Sequence, residues 1–464
     1  MDNLYEMIQK ADSGDAEAQY HVANYIIWGE KGEIEPDWVE RAIDYYERAS
    51  AQGNSNAMID LGTMYRLGRG VECDIDKTFY WLKQAAALLD PIAYQYLGYA
   101  LEIPVGYLDP NDETADYKAV FGYFFKGALM DDANCLYKMG DMYLSGKYVE
   151  PDPKFAFMMY MDSYKNSEYA YSHSSVCLRI GECYYSGIGT EQDTDEACEY
   201  LEDAIKNFEI RVDNRDSPEF FMEGYNRAKY LLKRIKDGKA AEPFIGLDKS
   251  NINEDYIDFI KSDMLQYPEP EYPIAELDKL KIENPKIDVF VDIFFNDALA
   301  AAEQGDNEAM YHVAFYCSNR YENQSDAKDM IDFALYYYHK AIRCGNRGAM
   351  FSLGSIYYHG DYGVEVDKNK AFKLYLYTNA FIAQGELGVY YAKGEIVTQD
   401  YEKAFKCFAK SALQKVNACY GSLANLATMY RKGIFVEVDE KFAEYCENLS
   451  KKAAENFNRP GERI

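Results

Sequence analysis

The chain has 464 residues, 48% of them hydrophobic, and a formal net charge of −29 at pH 7. That apolar content can bury a large core, which argues against wholesale disorder. The charge repels phosphate backbones and anionic lipid, so nucleic acid and membrane surfaces are poor partners; it serves solubility, or it attracts a basic protein.

The N-terminus, MDNLYEMIQKADSGD, has no basic start and no apolar run, so no secretory leader is expected. Further on, Tyr65 to Asp74 reads YRLGRGVECD, whose two glycines and acid could suggest a phosphate or metal loop. The stretch recurs as YLSGKYVEPD (Tyr143–Asp152) and YYSGIGTEQD (Tyr184–Asp193). It returns as YYHGDYGVEVD (Tyr357–Asp367), YAKGEIVTQD (Tyr391–Asp400) and YRKGIFVEVD (Tyr430–Asp439). A period of about 40 residues built from two helical patterns marks a helical solenoid. The glycine three past the tyrosine suits a left-handed helix end, and the aspartate suits an N-cap, which Asp152-Pro153 supports. Gly70 is missing from most copies and reads as a local coincidence.

Ahead of each tyrosine stands an apolar–small pair: Leu61-Gly62, Met139-Gly140, Ile180-Gly181, Leu353-Gly354, Leu387-Gly388 and Leu426-Ala427. A small side chain there lets the neighbouring helix approach, and the tyrosine one turn later fills the space. Four residues past each aspartate comes Thr78, Ala156, Ala197, Ala371, Ala404 or Ala443, and three further a larger residue such as Trp81, Tyr200 or Leu374. That is the buried stripe of an amphipathic helix.

The units around Leu97-Gly98 and Val313-Ala314 depart from the pattern, carrying EIPVGYLDPNDET and CSNRYENQSD. The unit at Leu387-Gly388 follows its predecessor so closely that one helix must be short. Residues 238–285, with five prolines and many acids, read as a linker or irregular excursion, with a short helix in Asn253–Leu265. The apolar stretch VFVDIFF is short and broken by Asp292, too little for a membrane span.

The unit Ala57–Ala86, AMIDLGTMYRLGRGVECDIDKTFYWLKQAA, with DYEKA at Asp400–Ala404 and the junctions AQGNSNAM and AEQGDNEAM, resembles the Sel-1-like repeat (SLR), a relative of the tetratricopeptide repeat. The resemblance implies an all-α fold, a right-handed α/α superhelix of about nine helix-turn-helix repeats in two blocks. Residues 1–237 would hold about five repeats plus capping helices, and 286–464 about four plus a C-terminal cap.

Candidate chemistry is sparse. His21 and His312 recur in register, in AQYHVA and AMYHVA, which marks them as structural. His339 and His359 lie in adjacent helical patterns without a companion cluster, and His173 sits in a polar loop, SHSS. Cys177 and Cys183 are six apart and do not share a helix face; Cys135, Cys407 and Cys446 take core positions. With no Cys-x-x-Cys among ten cysteines, reduced thiols and a cytoplasmic location are expected. No nucleotide, hydrolase or calcium motif occurs, so no enzyme activity, cofactor or metal is expected.

By analogy with tetratricopeptide-like solenoids, the first helices would line a groove. Its positions lie two before, two after and five after the apolar residue of each apolar–small pair. In the first block these are Tyr20, Asn24, Ile59, Thr63, Arg66, Gln95, Tyr99, Tyr137, Asp141, Leu178, Glu182 and Tyr185. The second block offers Tyr311, Phe315, Phe351, Ser355 and Tyr358. Tyrosine suits binding surfaces, though packing on the next unit is the alternative for these positions. The expected function is a monomeric, non-catalytic scaffold or adaptor holding a segment of another protein. The alternatives are a cytoplasmic inhibitor or immunity-type protein masking a basic effector, or the regulatory subunit of an enzyme.

Overall fold

The computed structural model describes residues 2–29, 36–102, 116–167, 173–214, 218–241, 293–319, 327–378, 381–415 and 419–457. The chain divides into two compact units, Met1–Ile252 and Asn253–Ile464. The expected irregular segment, with its short helix, lies outside the described residues beyond 241.

The described residues are all-helical. In the first unit α1 (Asp2–Asp12) precedes five antiparallel pairs: α2 (Ala16–Trp28) with α3 (Pro36–Ala51), α4 (Ser55–Leu67) with α5 (Ile75–Ala86), and α6 (Pro91–Glu102) with α7 (Tyr117–Leu129). Then come α8 (Ala133–Ser145) with α9 (Pro153–Lys165), α10 (His173–Ser186) with α11 (Thr194–Asn214), and a closing α12 (Pro218–Lys236). The second unit opens with α13 (Ile293–Glu303). Its pairs are α14 (Asn307–Asn319) with α15 (Ala327–Arg343), α16 (Arg347–His359) with α17 (Lys368–Thr378), α18 (Phe381–Lys393) with α19 (Tyr401–Ala412), and α20 (Tyr420–Lys432) with α21 (Glu440–Phe457). The helix expected to be short is α17, at 11 residues.

The recurrent loop is built as its residues dictate. Gly68, Gly146, Gly187, Gly360, Gly394 and Gly433 all sit at φ between +65° and +70°, the left-handed region where a Cβ is costly. Each aspartate caps the next helix, as where Phe155 N–H donates to Asp152 Oδ1 at 2.9 Å and Lys403 N–H to Asp400 Oδ1 at 2.9 Å. The aspartate's own N–H reaches back to the tyrosine carbonyl: Asp152 to Tyr143 at 2.8 Å, Asp400 to Tyr391 at 2.9 Å, Asp439 to Tyr430 at 3.0 Å. That clamp explains the constant spacing, because both ends of the loop hold one another.

Gly70 is not a coincidence. The second residue past the helix-ending glycine is left-handed in Gly70, Tyr148, Gly189, Tyr362 and Phe435; Ile396 is the exception, as a β-branched residue should be. This residue leans on the second helix of the preceding pair. A Cβ on Gly70 would lie 2.9 Å from Val39, and one on Gly189 would lie 2.1 Å from the Pro153 carbonyl oxygen. At two other loops an aromatic takes the place of the glycine and packs on a phenyl ring of the preceding helix: Tyr148 is 5.4 Å from Phe121 and Phe435 is 5.7 Å from Phe405, centroid to centroid.

The small residue of each first helix also meets a definite partner. A Cβ on Gly62, Gly140, Gly181, Gly354 or Gly388 would strike Leu82, Tyr160, Leu201, Tyr375 or Phe408 at 2.5–3.0 Å. These lie eight past the capping aspartate, one beyond the Trp81, Tyr200 and Leu374 that the helical stripe suggested. The divergent unit obeys the same rule: Asp116 caps α7, and Gly98 packs on Phe124. Its repeat is therefore intact, although its loop, residues 103–115, lies outside the described residues.

Other expectations need correction. His173 is not in a loop but begins α10. His21 and His312 are exposed, their rings 5.1 and 5.5 Å from those of Tyr20 and Tyr311. His339 is buried on α15, while His359 is exposed at the end of α16. Burial, with Arg343 and Lys370 nearby, lowers the His339 imidazolium pKa from 6.5 to about 4. The unfolded chain therefore binds this proton first as pH falls. The His339 contribution to stability is expected to be lost between pH 6.5 and 4, at up to about 1.4 kcal/mol per pH unit. Urea titrations of the wild type and His339→Gln at several pH values should show this slope as the difference between them.

Candidate binding face

The first helices of successive pairs touch one another: α2 with α4, α4 with α6, α6 with α8 and α10 with α12 in the first unit, α14 with α16 and α18 with α20 in the second. Among the described residues no two second helices do so to a comparable degree. The first helices thus form the close layer of each unit, and the positions expected to line a groove lie on that layer.

In the first unit many of those positions are joined to the next repeat. Asn24 Nδ2 donates to Asp60 Oδ2 at 2.7 Å, linking α2 to α4. Asn134 Nδ2 donates to Gln95 Oε1 at 3.0 Å, linking α6 to α8. Asp141 accepts from Arg179 Nε at 3.2 Å and from the Tyr160 hydroxyl at 2.8 Å. Glu182, only 2% exposed, accepts from Arg179 Nη1 at 3.1 Å and from Arg227 Nε at 2.9 Å. Lys138 Nζ lies 2.7 Å from Glu102 Oε2. Six groove candidates are buried: Ile59, Thr63, Gln95, Leu178, Glu182 and Tyr185. They support the face from beneath. The Tyr185 hydroxyl lies 2.8 Å from the carbonyl oxygen of Lys239 and fastens the chain after α12.

The remaining candidates of this unit are half-buried. Tyr20 stands beside Asp60, and its phenol is pushed up to about 12, first by burial and then by that carboxylate. Tyr99 meets Phe124 edge-on at 5.6 Å, with the Lys138 ammonium 5.3 Å above its ring. Tyr137 lies 6.0 Å from Tyr160, and burial, then Asp141, pushes its phenol to about 12. Burial lowers the pKa of the Arg66 guanidinium, whose Nε has no hydrogen-bond partner among the described residues; Tyr96 and Tyr99 are its neighbours.

Sequence reasoning missed the partners that occupy these groups. Asp60, Lys138, Arg179 and Arg227 each stand immediately before the apolar or small residue of their own helix. Asp60, Arg179 and Arg227 reach back to the residue two after the apolar position of the preceding first helix: Asn24, Asp141 and Glu182. A charge directly before Leu61-Gly62, Met139-Gly140, Ile180-Gly181 and Ala228 was the available signal.

The second unit's layer is aromatic. Tyr311 lies 5.8 Å from Phe315 and 6.4 Å from Tyr338, and Phe315 is 47% exposed. Phe351, half-buried, sits 5.7 Å from Tyr375, whose hydroxyl neighbours Ser355. Tyr358 meets Tyr390 edge-on at 5.6 Å, with the Lys368 ammonium 6.0 Å from its ring. Burial raises the Glu386 carboxyl, which His359 and Lys393 partly offset.

Successive helix pairs with a close layer of first helices define a helical-repeat protein. The chain belongs to the Sel1 repeat family: matches to the Sel1 repeat cover residues 16–54, 55–88, 133–160, 174–207, 307–346, 348–377, 382–416 and 422–456. The α6–α7 pair falls between two of these matches. Repeats of this family generally mediate protein–protein interaction. An uncharacterized protein of Neisseria meningitidis serogroup B is 29% identical over 197 residues, 42% of this chain and 38% of that protein, so the chain spans well under half of that relative's length. Among solved structures, a protective antigen of uropathogenic Escherichia coli displaying an SLR fold is 21% identical, with a TM-score of 0.38 over 97% of this chain and 90% of that one. A Sel1 repeat protein from Oxalobacter formigenes is 16% identical, with a TM-score of 0.30 over 97% and 87%. No helix of the described residues is long and apolar enough to cross a membrane.

Proposed function

We propose that the chain is a monomeric, non-catalytic scaffold that holds a segment of another protein against its first helices. The accessible aromatic surface at Tyr311 and Phe315 is the observation that supports it best, because large rings give contact area at little entropic cost. On the first unit, Tyr20, Tyr99, Tyr137 and Arg66 would contribute, with Asn24, Asp141 and Glu182 shaping the surface. A cytoplasmic setting is compatible with ten free cysteines.

The reading of an acidic groove masking a basic effector gains less support. On the first unit's close layer Asp141, Glu182 and Glu102 are already matched by Arg179, Arg227 and Lys138. A partner drawn by charge would have to engage other acids of the chain.

Site-specific photocrosslinking distinguishes the faces. A photoreactive phenylalanine analogue at Phe315 is expected to capture a protein partner, and the same analogue at Tyr401, exposed on α19, is not. Phe315→Ala with Tyr358→Ala should weaken capture at other first-helix positions about tenfold or more, as loss of aromatic anchors does. Adducts formed only through Tyr401 would reject this reading, and capture that collapses in salt would favour the masking of a basic effector.

A further inference from the structure

We propose that His173, Cys177 and Asp203 form a zinc-binding site in the fifth repeat. His173 and Cys177 are four apart on α10 and so share one face; Asp203 comes from α11, packed against it. One ligand atom from each lies within 4.8 Å of the others. His173 Nε2 is 3.2 Å and Cys177 Sγ 3.3 Å from Asp203 Oδ2. Zinc takes nitrogen and oxygen ligands at about 2.0–2.2 Å and sulfur at about 2.3 Å, so a small inward movement satisfies all three.

The groups behind the trio orient it as a metal site requires. The Ser167 hydroxyl lies 3.0 Å from the Tyr164 carbonyl oxygen and 2.8 Å from His173 Nδ1, and so holds the ring with Nε2 turned towards Asp203. Asn207 holds the other carboxylate oxygen at 2.9 Å, and the Tyr164 ring stacks on His173 at 5.3 Å, so both ligands are oriented from behind. Thiolate, carboxylate and neutral imidazole together neutralise a divalent ion. The thiol proton leaves to solvent on binding, and water takes the fourth position. The ion would staple the start of α10 to α11.

The test is cobalt uptake by the chelator-stripped full chain. One equivalent of Co²⁺ is expected to give tetrahedral d–d bands and a thiolate charge-transfer band, both removed by added Zn²⁺. Cys177→Ser should abolish the charge-transfer band, Asp203→Asn should weaken binding at least tenfold, and Cys73→Ser, at an exposed thiol, should change nothing. Zn²⁺ should also raise the melting temperature of the wild type but not of Asp203→Asn. If Cys177→Ser misfolds by circular dichroism, His173→Gln serves in its place and must lose the d–d bands. Absence of a saturable one-equivalent band overturns the proposal and leaves the trio as a hydrogen-bonded tie between α10 and α11. A band that survives Cys177→Ser overturns it as binding by another thiol.

Discussion

Glu182→Leu is expected to lower the stability of the first unit by about 3 kcal/mol, the lower end for breaking a buried ion pair because the two arginines retain some solvent contact. Glu182 is almost wholly buried between Arg179 and Arg227, whose side chains are 22% and 17% exposed. Arg179 keeps Asp141 after the substitution, but Arg227 loses the carboxylate 2.9 Å from its Nε. The double variant Glu182→Leu with Arg227→Met should recover much of the loss, since the desolvated guanidinium that Glu182 matched is then also removed. Urea unfolding followed by circular dichroism measures the effect. Tryptophan fluorescence arises only from Trp28, Trp38 and Trp81, in the first two repeats, and should move less because repeats couple mainly to their neighbours. Equal damage from the single and double variants would show that packing, not charge, holds α10 to α12.

Gly189→Ala is expected to cost about 2–4 kcal/mol, the sum of a left-handed backbone penalty and overpacking. Gly189 sits at φ +74° with the Pro153 carbonyl oxygen where its Cβ would be, and backbone cannot swing aside as a side chain can. Gly238→Ala separates the two contributions. That residue has φ +65° but nothing within 4 Å of a Cβ, so it reports the backbone penalty alone, about 1 kcal/mol. In a unit of this size the Gly189 variant should melt roughly 4–16 °C lower. Matching losses in the two variants would mean that the loop does not brace the preceding repeat.

The face for a partner was legible only in outline. The spacing from each Leu-Gly pair picked out the close layer, and Phe315, Tyr311 and Tyr358 stand there with accessible or half-buried rings. The same spacing also chose Asn24, Asp141 and Glu182, which the structure commits to the neighbouring repeat. A helix turns about 100° per residue, so a periodic pattern identifies a face but not which edge of it meets the next helix. The trio at His173 was hidden for a related reason. Its spacing of four along α10 is visible in the sequence, but Asp203 lies a helix away.

What the sequence determined by itself is what local backbone chemistry controls. The helix stops at Gly68 and its counterparts, the caps at Asp74 and its counterparts, and the amphipathic stripes between them depend on hydrogen bonds and dihedrals within a few residues. Repetition made those signals unmistakable, and with them the number of repeats. The tertiary structure alone decided why Gly70 and Gly189 are glycine while Tyr148 and Phe435 are aromatic, and why Leu82 rather than Trp81 closes on Gly62. It also decided which charges of the first helices are matched across repeats. Each of these depends on the rotation and separation of two packed helices, and that geometry follows from the summed shapes of many side chains rather than from any one stretch of chain.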